Sequence, residues 1–186
     1  MTDIIELKTA RLKLRQWCEN DLPAFAEMNA DPKVMAFYPN TLSALESDAL
    51  AERLSTLLTE QSWGMWAVEK SEDNSFIGFV GLHKPSYELP VSPCVEIGWR
   101  LARGEWGKGY ATEAAKAAQT FAFSELKLLT LYSFTSVINR RSQSVMKHLH
   151  MRDTEQNFDH PMLPAQSPLR EHVLYKIDCD SWRQLK

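Results

Sequence analysis

Val95-Glu96-Ile97-Gly98-Trp99-Arg100-Leu101, Gly104-Glu105-Trp106-Gly107-Lys108-Gly109 and Tyr110-Ala111-Thr112-Glu113-Ala114 follow one another as an extended segment, a glycine turn and a helix start. The helix is marked by Ala111, Ala114, Ala115, Ala118, Phe121 and Ala122 at helical spacing, small residues that permit close packing on a sheet. Of seven glycines in the chain, Gly104, Gly107 and Gly109 fall within six residues, and none follows Gly109. Glycines between a strand and a helix let the backbone approach a ligand closely. The free N–H groups and the positive dipole end of the helix suit a phosphate or pyrophosphate. A tight strand-to-helix turn in which glycine relieves strain is the competing reading, and spacing alone leaves both open.

Outward from this run, the patterns are those of one mixed sheet with helices. Arg11 to Gln16 alternates polar and apolar, the period of a half-buried strand. Asn20-Asp21-Leu22-Pro23 starts a short helix that ends before Asp31-Pro32, and Ser43-Ala44-Leu45-Glu46 is a capping box ahead of a helix carrying Leu50, Leu54, Leu57 and Leu58. Trp63 to Lys70, Phe76 to Leu82 and Cys94 to Leu101 read as an antiparallel run, the first two joined by Ser71-Glu72-Asp73-Asn74-Ser75. Leu131 to Val137 is a strand, Ser142 to Leu149 a short helix and His172 to Asp178 a last strand, with Pro161, Pro164 and Pro168 in the loop before it. The expectation is a single α/β domain over residues 1–186.

Composition narrows the function classes. The chain has 186 residues, 44% hydrophobic and 24% charged, with six Trp, eight Phe and five Tyr, which is the profile of a packed globular protein. Its 21 Lys plus Arg against 24 Asp plus Glu give −3, so no global field favours nucleic acid or an anionic membrane. The longest uncharged stretches, Val34 to Leu45 and Leu128 to Asn139, are 12 residues each, short of the roughly 20 that span a bilayer. Acids in Met1-Thr2-Asp3-Ile4-Ile5-Glu6 stand where a secretory signal is basic, and a cytoplasmic location is expected. Cys18, Cys94 and Cys179 lie far apart with no CxxC pair and read as buried or indifferent thiols. The histidines show no ligand spacing, so no metal is expected.

Two nucleotide motifs fail on the glycine turn. A P-loop needs four residues between its first Gly and Gly-Lys-[Ser/Thr]. Here there are two, and Gly109 replaces the metal-binding hydroxyl. The dinucleotide fingerprint needs Gly at Thr112 and an acid at the end of the next strand, and Leu131 to Val137 has none. A third pattern fits. Val95 to Leu101, Trp106 to Ala114 and Asn139-Arg140-Arg141-Ser142, in this order and spacing, resemble the GNAT N-acetyltransferase superfamily, and within it the branch of the Rim-type ribosomal-protein N-terminal acetyltransferases. The likeness runs from about Thr9-Ala10-Arg11-Leu12 to His172-Val173-Leu174-Tyr175.

The resemblance implies a GNAT-like, mostly antiparallel mixed central sheet with a splayed parallel strand pair and helices on both faces. It implies acetyl-CoA as cosubstrate, its pantetheine bonded to backbone near Trp99, Arg100 and Leu101 as a surrogate strand. The pyrophosphate would rest on the amides of Trp106, Gly107, Lys108, Gly109, Tyr110 and Ala111, Asn139 would face the pantetheine, and Ser142 would lie near the sulfur. Glu96 is the candidate general base, acting through water, and surface pairing with Arg100 or another cation is its alternative role. Ser142 is the candidate acid for the departing thiolate, with a helix N-cap as its alternative. A backbone N–H near Gly98 or Trp99 would serve the oxyanion.

The implied acceptor is a primary amine, a protein N-terminus or a small molecule. Dimers are common in this branch, though no sequence feature dictates a homodimer. A non-catalytic CoA-binding regulatory module is the alternative function, which loss of Asn139 or Ser142 would have favoured. Asp159, His160 and His172 stand where relatives build the acceptor end, with a surface turn as the preferred reading of the first two. Relatives often begin the glycine motif with Gln or Arg, where this chain has Gly104 with Arg103 before it. Relatives also commonly place Gly after the short helix, where this chain has His150-Met151. A helix end shifted by one residue is therefore expected there.

Overall fold

The computed structural model describes residues 4–185, so Met1, Thr2 and Asp3, read above for targeting, lie outside the described residues. In chain order the elements are β1 (Leu7–Lys8), β2 (Leu12–Arg15), α1 (Leu22–Ala30), α2 (Ala44–Gln61), β3 (Met65–Lys70), β4 (Phe76–His83), β5 (Glu96–Leu101), α3 (Tyr110–Ser124), β6 (Thr130–Ser136), α4 (Arg140–His148), β7 (Arg152–Asp153), β8 (Phe158–Asp159), β9 (Glu171–Asp178) and α5 (Cys179–Arg183). The chain folds as two compact units, one of residues 1–82 and 98–118, the other of residues 83–97 and 119–186. No helix among the described residues is long and apolar enough to cross a membrane.

In the first unit the strands follow the order β1-β2-β3-β4-β5. The β1/β2, β2/β3 and β3/β4 pairs are antiparallel, with a register shift at Val68/Glu69. Leu12 and Leu14 of β2 are fully buried while Lys13 and Arg15 between them are not, the alternation expected of a strand with one face in the core. Trp17, Phe25, Phe76 and Phe79 stack edge-on or tilted at centroid distances from 4.8 to 6.1 Å, and the Trp17 indole N–H donates to the Met65 carbonyl at 2.9 Å. The Ser43/Glu46 capping box is formed, with Ser43 Oγ accepting from Glu46 N–H at 3.3 Å and Glu46 accepting from Ser43 N–H at 2.8 Å.

In the second unit the order is β5-β6-β9-β7, with β8 also on β9. The parallel pair expected from the sequence is present: β5 meets β6 at Glu96↔Tyr132, and Ser133 Oγ donates to the Ile97 carbonyl at 2.9 Å. The antiparallel β6/β9 ladder runs from Thr130↔Asp178 to Ser136↔His172. Leu131, Met146, Leu149, Leu174 and Ile177 are buried and supply core to this unit. Helix α5, absent from the sequence reading, places Trp182 at 5.2 Å from Phe123.

Two sequence expectations are corrected around α4. Asn139, not Ser142, is the N-cap: Asn139 Oδ1 accepts from the Ser142 N–H at 3.2 Å, so the helix begins two residues earlier than expected and Ser142 sits inside its first turn. At the other end the helix does not shift. His150 itself adopts the left-handed conformation at φ 58°, its N–H bonding Lys147 O at 2.9 Å while the Met151 N–H reaches Met146 O at 3.0 Å. This is the Schellman closure with His in the place of Gly, and burial of Met151 and of Leu149 offsets its backbone cost.

Candidate active site

The first unit supplies the glycine turn. Gly107 and Gly109 have φ of +75° and +83°, a region that L side chains rarely enter, and their turn delivers the chain into the 15-residue helix α3. A Cβ at Gly107 or at Gly104 would meet no atom within 4 Å. Open space therefore lies over the backbone, next to first-turn N–H groups with no acceptor inside the helix. That arrangement fits a pyrophosphate, whose charge the helix start favours.

The turn is held by residues that sequence spacing did not single out. Arg11 Nη1 donates to the Lys108 carbonyl at 3.1 Å, its guanidinium lies 4.5 Å from the Tyr110 ring centroid, and it pairs with Glu113 at 2.6 Å. The Thr9 hydroxyl also donates to Glu113, at 2.6 Å. The Glu113 carboxyl is held below its ordinary value by these bonds against the pull of burial, and its charge is spent on Thr9 and Arg11 beside the helix start. Lys108 pairs with Glu105 at 3.0 Å, and Trp106 Nε1 donates to the Leu101 carbonyl at 2.9 Å, which ties the turn to the end of β5.

On β5, Leu101 is buried, whereas Trp99 and Arg100 are half-buried. Arg100 does not take the surface role of pairing with Glu96. Its Nη1 donates to Asn29 Oδ1 at 2.7 Å, and its guanidinium stacks 4.0 Å from the Tyr38 centroid and 5.2 Å from that of Phe79. Asn29, fully buried, passes the bond on to Ser47 Oγ at 2.9 Å.

The second unit holds both acid–base candidates. Glu96 is 8% exposed, and burial holds its carboxyl well above the ordinary carboxylate value. Across from it at the end of β4, His83 Nε2 lies 3.4 Å from Glu96 Oε2. Burial also holds the His83 imidazole down to about 4. A lone His after an apolar strand carries no spacing signal toward Glu96, which is why the sequence did not reveal it.

Ser142 and Asn139 are brought together at the start of α4. Asn139 Nδ2 donates to Ser142 Oγ at 3.0 Å and to Thr135 Oγ1 at 2.9 Å, which uses both amide hydrogens. With a lone pair occupied by Asn139, the Ser142 hydroxyl keeps its own hydrogen to donate, and accepting one bond strengthens donation of the next.

Further along the unit, His160 Nε2 shares a hydrogen bond with the Tyr87 hydroxyl at 3.0 Å, and its ring stacks on His172 at 4.8 Å. Burial, assisted by His172, holds His160 down to about 4. Asp159 is exposed and paired with Arg170 at 2.9 Å, the surface role preferred from the sequence, whereas His160 is half-buried rather than on a surface turn. Among the described residues no cluster of three or more His, Cys, Asp or Glu is arranged to hold a metal. Cys18 is exposed, Cys94 half-buried and Cys179 buried, all as free thiols.

Antiparallel pairing in β1/β2, β2/β3, β3/β4 and β6/β9, one parallel pair in β5/β6, and a glycine turn opening a long helix define a mixed α/β protein. The sequence matches the Acetyltransferase (GNAT) domain over residues 11–152, so the chain belongs to the GNAT acetyltransferase family and is an enzyme of that class. It is 26% identical over 187 residues to the FsC-acetyl coenzyme A-N(2)-transacetylase of Aspergillus fumigatus, across 97% of this chain and 79% of that one. The solved GNAT-family acetyltransferase of Bacillus anthracis superimposes with a TM-score of 0.79 at 25% identity, covering 95% of this chain and 99% of that one. RimL, a ribosomal-protein alpha-N-acetyltransferase solved with coenzyme A, superimposes at 0.74 with 18% identity over 95% of this chain and 99% of that one, a likeness of fold.

Proposed function

We propose that residues 1–186 work as one acetyl-CoA-dependent N-acetyltransferase domain, resembling the Rim-type branch, that moves an acetyl group to a primary amine by direct attack on the thioester. The observation that carries this reading is the glycine turn: left-handed Gly107 and Gly109, open space over Gly107, and the start of α3 behind them. Trp106, Gly107, Lys108, Gly109, Tyr110 and Ala111 would hold the pyrophosphate, the backbone of Trp99, Arg100 and Leu101 the pantetheine, and the spare lone pair of Asn139 Oδ1 its amide. Bound acetyl-CoA supplies an activated acetyl group.

The chain's own residues manage protons. An ammonium must lose one before it can attack, and Glu96 receives it through water. Burial gives that carboxylate a basicity nearer the working pH than an exposed acid has. As the C–S bond breaks, Ser142 Oγ gives its proton to the departing sulfur and regains one from the nitrogen that has formed the new C–N bond, its hydroxyl aimed by Asn139. The acceptor is a protein N-terminus or a small-molecule amine.

Calorimetric titration with acetyl-CoA, followed on the same sample by a thiol-release screen across peptide N-termini, polyamines and amino acids, tests the proposal. Saturable binding with release for one amine class is the expected result. Absence of binding would overturn the placement of the cofactor, and binding with no release by any class would favour a regulatory CoA-binding module.

A further inference from the structure

Glu96 presents a chemical difficulty that its neighbours resolve. A general base must be ionised before it can accept a proton, yet a carboxyl that is 8% exposed is driven by burial toward its neutral form. Titratable groups near it lie on β4, in the β4–β5 connection, on β6 and on β9. Tyr87 and Cys94 lie in the β4–β5 connection, their hydroxyl and thiol pushed up by burial and by the carboxylate's charge, so both stay neutral. Tyr132 of β6 is the register partner of Glu96, and Lys176, opposite Tyr132 on β9, lies 3.5 Å from Asp178. The Tyr87 hydroxyl is committed to His160. His83 is the group whose nitrogen faces the carboxylate, at 3.4 Å.

The other ring nitrogen of His83 decides its tautomer. Nδ1 is buried with no hydrogen-bond partner. A neutral imidazole has one N–H to place. On Nδ1 it would be an orphaned buried donor, and Nε2 would turn a lone pair toward Glu96. On Nε2 it lies beside a carboxylate oxygen 3.4 Å away that a small approach brings into hydrogen-bond range, and only a lone pair is left orphaned at Nδ1, the less costly of the two. We propose that His83 is a positioning residue for Glu96, donating its Nε2–H to the carboxylate so that the buried side chain stays ionised and aimed. This rests on Glu96 being the base of the reaction.

The test compares the unmodified protein with His83→Phe, which fills the site with a ring lacking a donor, and His83→Gln, which returns an N–H near the place of Nε2. Two quantities are followed against pH: the acidic limb of kcat for acetyl transfer, and the Glu96 side-chain carboxyl 13C shift in ligand-free protein. His83→Phe is expected to move both midpoints up by about one pH unit, a roughly tenfold loss of rate on the acidic limb, and His83→Gln to return most of it. Unmoved or lowered midpoints in the Phe variant overturn the inference. The 15N shifts of His83 in the unmodified protein need no variant to fold: an Nε2–H tautomer supports it and an Nδ1–H tautomer overturns it. Glu96→Gln separates the two readings. If that variant keeps full kcat, Glu96 is not the base, while the carboxyl and imidazole shifts still decide whether His83 holds it ionised.

Discussion

Gly107→Ala adds a single methyl at a position whose surroundings allow its consequences to be separated. At φ +75° an L residue costs about 1–2 kcal/mol in backbone strain. The added Cβ would meet no atom within 4 Å, so the protein itself imposes no further clash. At about 2–4 °C per kcal/mol for a chain of this size, the midpoint of thermal unfolding should fall by about 2–8 °C. Binding should suffer more, because the methyl enters the space proposed for the pyrophosphate. Loss of one charge-assisted hydrogen bond, about 1.5–3 kcal/mol, corresponds to a roughly ten- to hundredfold rise in Kd for CoA. Gly104→Ala is the control: it too has open space, but no left-handed φ and no assigned phosphate contact, so its Tm should hold and its Kd should change less than about threefold. Isothermal titration with CoA beside a thermal melt reads both quantities. A Gly107→Ala protein with a lowered Tm and an unchanged Kd would remove the turn from the cofactor site.

Ser142→Ala should lower kcat about a hundredfold while leaving the Kd for CoA within about twofold; joint collapse of both would make the residue structural. Arg11→Met should scarcely change the Tm, because the Arg11 side chain is 48% exposed and such ion pairs contribute under about 1 kcal/mol. The same variant should raise the Kd for CoA several-fold by releasing the Lys108 carbonyl, and an unchanged Kd would refute that role for Arg11. For His160, held down to about 4 in the folded chain against an ordinary 6.5, the unfolded state takes up the proton first as pH falls. Its contribution to stability is therefore complete above about 6.5 and lost toward 4, so His160→Gln should flatten the decline of unfolding free energy across that window in denaturant titrations; an unaltered slope would count against the burial argument.

The elements legible in the sequence were those with a local signature. The Ser43/Glu46 box, the alternation of Leu12 and Leu14, and the alanine stripe of α3 each announce themselves within one or two turns of chain, and each forms as read. The glycine turn was legible for the same reason. What was missed is held by partners far apart in sequence: Arg11 with Glu113, Asn29 with Arg100, Tyr87 with His160. Their side chains gain a role only once the chain has folded, and no periodicity encodes it. The His150 error has a different origin. The cost of a left-handed His is local and visible in the sequence, whereas the burial of Met151 and Leu149 that offsets it comes only with completing the helix end.

The two proposed proton-handling groups sit on opposite sides of this divide. Ser142 is aimed by a four-residue device, since Asn139 caps the helix through the Ser142 N–H and holds the Ser142 oxygen with the same side chain. The same amide also holds Thr135 on the preceding strand. In the arrangement proposed, Glu96 would owe its basicity to burial on β5 and its ionised form to His83, 13 positions earlier. Substitutions in the β4–β5 connection, around Tyr87 and Cys94, therefore have a route to retune the base that bypasses the Asn139–Ser142 cap. Changes of acceptor preference that arise this way should then appear first as shifts in the pH dependence of kcat, with the proposed pyrophosphate contacts kept by a turn that shares no residue with Glu96, His83 or Ser142.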